Sequence, residues 1–166
     1  MVFFHGGGGI FGSAVEYTPF ANRYAVECDV TIFSVEYRLA PEHKSPAGPS
    51  DAYAALRHVC ANSLPLGLDP ASIAMFGESG GAWITTAVGM MLAERNESHL
   101  VQFQLALIPQ TGNLYVRGEA RESFTPYEEP NIEAVQEMAK MLSKDAPEVA
   151  KNDRWLWTNL MGDELA

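Results

Sequence analysis

Short runs of β-branched and aromatic residues, separated by stretches with helical spacing, limit what this chain can become. Val2–Phe4 and residues 30–35, 72–76 and 103–108 read as buried strands. Between them the apolar pattern changes period. Ser50 reads as an N-cap, with Tyr53, Leu56 and Cys60 on one helical face. Pro19 suits the start of an earlier helix, and residues 81–95 form a further one, apolar enough at first to be buried. Strand and helix in strict alternation imply a parallel sheet, covered on both faces by right-handed crossovers. The expected class is α/β, with about four parallel strands.

After Pro109 the texture changes. Residues 109–130 carry Gly112, Gly118, Pro126 and Pro130 among polar groups and read as a long loop. Asn131 can cap a helix with Ile132, Val135, Ala139 and Leu142 on one stripe, and Pro147 suits the first turn of another bearing Trp155, Leu156 and Trp157. Both ends read as cuts through a larger domain. The chain begins inside a strand and stops after a helical segment, and so small a parallel sheet would leave its pairing groups bare. Residues 1–166 are therefore expected to be one partial domain, with a sheet core over 1–108 and helices after a loop over 109–166.

Composition removes several function classes. Eleven Lys and Arg against 21 Asp and Glu give a formal charge of −10, which repels phosphate backbones and argues against nucleic-acid partners. Two cysteines support neither a disulfide framework nor a four-ligand zinc site, and no H-E-x-x-H or C-x-x-C occurs. No metal and no cofactor is expected. No apolar run approaches the roughly 18–20 residues of a membrane span, and the start lacks a signal-peptide pattern, so the expected location is cytoplasmic. No oligomeric state is implied.

Two glycine motifs carry the chemistry. Gly77-Glu78-Ser79-Gly80-Gly81 is a G-x-S-x-G between a predicted strand and a predicted helix. Glycines relieve the crowding of so sharp a turn, and the turn lifts the serine hydroxyl clear of the sheet at a helix N-terminus. By composition alone such a motif arises about 7% of the time in this length. His5-Gly6-Gly7-Gly8 follows the first strand and arises by chance only about 0.2% of the time. A side-chain-free loop at that strand end lets backbone N–H groups converge on one oxyanion. Each such donor lowers a barrier by roughly 2.7–4 kcal/mol. In a parallel sheet this loop and Ser79 share one edge. His5 is expected to hold the loop by hydrogen bonding. A dinucleotide reading, from the glycine run over 7–12 with Glu36 as ribose acid, requires the loop to enter a helix directly, and residues 13–19 intervene.

His5-Gly6-Gly7-Gly8, Glu36-Tyr37-Arg38-Leu39-Ala40-Pro41-Glu42-His43 and Gly77-Glu78-Ser79-Gly80-Gly81 stand in the order of the hormone-sensitive-lipase-like family of α/β-hydrolases, which this chain resembles over about residues 2–108. The resemblance implies hydrolysis of a small uncharged carboxylic ester, with Ser79 as nucleophile and the N–H groups of Gly7, Gly8 and Gly80 as oxyanion hole. The family often has Asp before the serine and Ala after it, where this chain has Glu78 and Gly80. Gly80 is expected to loosen the first helical turn by about 0.5–1 kcal/mol relative to Ala.

In that family the triad follows the order Ser, acid, His. The only later histidine, His99, is expected near the far end of the helix that starts at the serine, about 30 Å away. His43 and His58 read as structural. Asp145, Asp153 and Asp163 fall where the family places cap-type helices. The acid and base are thus expected beyond Ala166, leaving the chain as given nearly inactive. The alternatives are a receptor-like binding protein, since the family includes plant hormone receptors without the triad histidine, and an inactive truncated product.

Overall fold

The computed structural model describes residues 1–109. Its strands are β1 (Val2–Phe4), β2 (Phe33–Val35), β3 (Ala74–Glu78) and β4 (Phe103–Leu107), and its helices α1 (Thr18–Cys28), α2 (Ala47–Ala61) and α3 (Gly80–Glu94). The expectations for 110–166, including both late helices and Asp145, Asp153 and Asp163, fall outside the described residues.

All the strand pairs are parallel, in the order β2-β1-β3-β4. Side chains alternate across the sheet, and the alternation sorts the core into two layers. Val2, Phe4 and Met75 face α2 and α3, where Ala52, Leu56, Ile84, Val88 and Leu92 close over them. Phe3 and Phe76 face the other way and pack on Ala21, Phe20 and Tyr24 of α1. The Phe3 and Phe76 rings lie 4.6 Å apart. Helices therefore cover both faces, as the alternating pattern requires.

Several boundaries differ from the sequence reading. The second strand is only Phe33–Val35, because β1 offers three residues to pair with it, Val2 to Phe4. The third starts at Ala74 and runs through Glu78, since Asp69 holds residues 70–72 in a 3-10 turn by accepting from the Ala71 N–H at 2.9 Å and the Ser72 hydroxyl at 2.8 Å. Ser50 is not an N-cap. It lies inside α2, and its N–H already donates to Pro46 C=O.

The next residue, Asp51, reaches back to the loop after β2. Its Oδ1 accepts from Arg38 Nη2 at 2.7 Å, and its Oδ2 from Arg38 Nε at 2.8 Å and the Arg38 N–H at 3.0 Å. The Arg38 guanidinium bonded to Asp51 holds that carboxyl below its usual range. A depressed carboxyl stabilises the fold above its unfolded pKa and loses that contribution as pH falls through the folded one. Asp51→Asn should therefore cost up to about 1 kcal/mol at neutral pH, the pair being solvent-screened. In urea melts the gap to wild type should close below about pH 4; a gap that persists at low pH would assign the effect to something other than charge.

Candidate active site

The strand order reverses between β1 and β3. From β1 the chain passes over one face through α1, and from β3 it passes over the other through α3. In open α/β sheets ligands bind at such a reversal of strand order, at the carboxyl edge of the strands. The two glycine motifs occupy the loops leaving β1 and β3.

Ser79 is the half-buried residue between β3 and α3, in the N-cap position of α3, with φ 53° and ψ −115°. That conformation is strained for a residue with a Cβ, costing on the order of 1–3 kcal/mol. It persists because the flanking glycines let the backbone close up. A Cβ on Gly77 would lie 2.1 Å from Gly81 O, and one on Gly81 would lie 1.9 Å from Phe4 O. The Ser79 N–H donates to Leu107 C=O of β4 at 2.9 Å, and its C=O accepts from Ala82 and Trp83, beginning the helix. Among the described residues nothing hydrogen-bonds its hydroxyl.

The loop after β1 folds over this turn. Gly7, Gly8 and Gly9 have φ of 113°, 63° and 75°, which glycine adopts without penalty. Gly7 C=O accepts from the Ile10 and Phe11 N–H groups, and Gly9 C=O accepts from Ala40 N–H at 2.9 Å. With the carbonyls committed, the N–H groups of Gly7, Gly8 and Gly80 have no hydrogen-bond partner among the described residues. The loop and the turn touch: a Cβ on Gly80 would stand 2.5 Å from Gly8 N and 3.0 Å from Gly9 N. Gly80 is therefore more than a loosened alanine, because the loop occupies the space that a methyl group would need.

His5 is fully buried and its Nδ1 hydrogen-bonds Gly6 C=O at 2.8 Å. Its ring stacks on Tyr37 at 4.3 Å, and the Tyr37 hydroxyl donates to His5 C=O at 2.6 Å. Burial raises the pKa of that phenol, keeping it a donor. Tyr37, in the middle motif, thus secures the strand end from which the glycine loop departs.

The chain's four histidines all lie within the described residues. His5 is tied to Gly6, His58 is exposed on α2, and His43 is exposed in the loop preceding it. The expectation that His99 ends the long helix is corrected. Asn96, at φ 58°, stops α3 with Glu97 N–H donating to Leu92 C=O, and His99 sits in a separate 3-10 turn, residues 98–100. The 15 residues of α3 span about 22 Å from the Ser79 end. The dinucleotide reading fails on the same geometry, since the glycine loop passes through turns before α1 and Glu36 accepts from Ala14 N–H at 2.8 Å.

Sequence reasoning missed Tyr17. Its hydroxyl donates to Glu78 Oε2 at 3.1 Å, beside Gly6, and burial followed by the Glu78 carboxylate raises its pKa. The available signal was Gly6 itself, a glycine in the motif with no part in the expected hole. Among the described residues no His, Cys, Asp and Glu cluster suits a metal, and no helix is long and apolar enough to cross a membrane.

A family model described as alpha/beta hydrolase fold matches residues 1–165. Carboxylesterase NlhH of Mycobacterium tuberculosis is 41% identical over 111 residues, covering 67% of this chain and 34% of that protein. The arylesterase of Saccharolobus solfataricus is 35% identical over 109 residues, 66% of this chain and 35% of its own length. Among solved structures, the thermostable carboxylesterase EstE1 from a metagenomic library superposes with a TM-score of 0.78 at 30% identity, over 93% of this chain and 53% of that one. This chain spans about a third of the length of the curated relatives it matches. A four-strand parallel sheet with helices on both faces, and a match running through nearly the whole sequence, place this chain in the carboxylesterase-type α/β-hydrolase family.

Proposed function

We propose that this chain supplies the nucleophile and oxyanion-binding part of a serine carboxylesterase acting on small uncharged esters. Ser79 Oγ attacks the ester carbonyl carbon, and the alcohol leaves from the tetrahedral intermediate. The N–H groups of Gly7, Gly8 and Gly80 hold the oxyanion while it exists, and water then releases the acid from Ser79. The observation that carries this reading is the contact between Gly80 and the amides of Gly8 and Gly9 beside a strained Ser79. A serine held at positive φ against unpaired amides is costly to build for packing alone.

The base belongs to the proposal by its absence. No histidine of the chain hydrogen-bonds Ser79, and residues 110–166 contain none. The proton of Ser79 is taken by a group that these four histidines do not provide.

Imidazole in solution tests the arrangement. A fluorophosphonate probe should phosphonylate Ser79, and added imidazole should speed the reaction about tenfold or more, the low end of general-base catalysis. Peptide mass spectrometry should find the adduct on Ser79 and none in Ser79→Ala. A wild-type chain left unlabelled at high imidazole would overturn the reading.

A further inference from the structure

Gly6 is glycine for a reason that neither backbone conformation nor oxyanion chemistry supplies. Its φ is outside the left-handed region, unlike those of Gly7 to Gly9. What it lacks is room. A Cβ there would lie 2.4 Å from the Tyr17 hydroxyl, 2.5 Å from Glu78 Oε2 and 3.2 Å from Glu78 C=O. Two polar side chains meet above a backbone that has to stay bare to admit them.

These two side chains come from different parts of the fold. Tyr17 sits at the N-terminal end of α1, with its ring against Phe3 at 6.0 Å and His5 at 5.8 Å. Glu78 is the last residue of β3, immediately before Ser79. The Tyr17 O–H donates to Glu78 Oε2, and the same hydroxyl stands against the Gly6 backbone, 2.4 Å from where a Cβ there would lie. Here the extra methylene of Glu78 over Asp gives the carboxylate its reach across the β1–β3 boundary. A hydrogen bond to an ionised acceptor is among the stronger ones a half-buried site can hold.

We propose that Tyr17 and Glu78 are positioning residues, a polar brace that sets the distance between the glycine loop after β1 and the turn bearing Ser79. The proposal rests on the reading of Gly7 and Gly8 as oxyanion donors. Neither residue touches the reacting atoms. Each acts through Gly6, one residue from the first donor, and Glu78 also precedes the nucleophile directly, so a shift in the brace displaces both halves of the site together.

Amide hydrogen exchange on the 166-residue chain reads the brace without any turnover. The Ile10 and Phe11 N–H groups are bonded to Gly7 C=O, and the Ala40 N–H to Gly9 C=O, so their exchange reports opening of the loop. Tyr17→Phe removes one oxygen and keeps the ring. It should speed exchange at these three amides about tenfold while α2 amides stay as in wild type. Glu78→Ala should do the same, and Glu78→Gln, whose amide oxygen still accepts from Tyr17, should restore most of the protection. The double variant Tyr17→Phe with Glu78→Ala should be no worse than either single one, because both break the same link. Unchanged loop amides in Tyr17→Phe, additive single effects, or a uniform rise that includes α2 would each overturn the brace.

Labelling of Ser79 separates this idea from the esterase reading. Tyr17→Phe should slow imidazole-assisted phosphonylation, and Glu78→Gln should recover it where Glu78→Ala does not. Loop amides that respond as described in a chain that never labels would sink the esterase reading and leave the brace standing. A chain that labels normally with indifferent loop amides would do the reverse.

Discussion

p-Nitrophenyl acetate is expected to be hydrolysed by the 166-residue chain up to about a millionfold more slowly than by an esterase with a complete triad, the cost of lacking the base. Some rate should survive. Oxyanion donors and binding alone sustain roughly 10³–10⁴ over water when a triad member is missing. This residue of catalysis should depend on the cradle more than on the serine. A bulky side chain at Gly8, whose backbone N and Cα lie 2.5 and 2.9 Å from where a Cβ on Gly80 would stand, should abolish it, whereas Ser79→Ala should reduce it only modestly. Fast, saturable turnover that vanishes in Ser79→Ala would mean that a base is present after all, supplied by a group other than the four histidines.

The second large effect concerns stability. Gly81→Ala puts a methyl carbon 1.9 Å from Phe4 O and 2.6 Å from His5 O. Both obstacles are backbone atoms at the end of the central strand β1, so no side-chain rotation relieves them. The first turn of α3 has to lift off the sheet, uncovering Phe4 and Ile84 in the main core. The cost should be at least about 3 kcal/mol, the upper end of overpacking. Gly67→Ala is the control. Unlike Gly81, which is helical, it forces a left-handed residue, at φ 72°, but nothing lies within 4 Å of the added carbon, so only the conformational cost of about 1–2 kcal/mol applies. Urea midpoints for the two variants should differ clearly. Equal midpoints would show that the packing of α3 on β1 is softer than its geometry.

Much of the frame was legible because periodicity is a direct readout of burial. Val2–Phe4 and the long buried helix after Ser79 fall where the pattern puts them, each facing the core for most of its length. Motif spacing also put the two glycine loops together, since a parallel sheet gathers its carboxyl-end loops on one edge whatever their distance in sequence. Errors arose where side chains bond across elements. Ser50 has the chemistry of a cap, but the turn formed by Lys44 and Ala47 starts the helix earlier and Asp51 is drawn to Arg38. The end of α3 was read to within one residue, yet His99 was assigned near the end of a helix that Asn96 stops before it. Gly80 was weighed against alanine by helix propensity, whereas its real constraint is the loop from β1, seventy residues away in sequence. No single-sequence pattern encodes that contact. The pairing of Tyr17 with Glu78 was hidden for the same reason.

The central position of β1 has a consequence during synthesis. Its three residues are fully buried between β2 and β3, yet β3 emerges about seventy residues later. At translation rates of about 5–20 residues per second, one edge of β1 waits some 4–14 s for its partner. During that interval Phe3 and Phe4 are an apolar, unpaired edge on the ribosome-bound chain, the kind of segment on which chaperones act. Synonymous codon changes that slow elongation between β2 and β3 should therefore lower the soluble yield, although the finished protein would be identical.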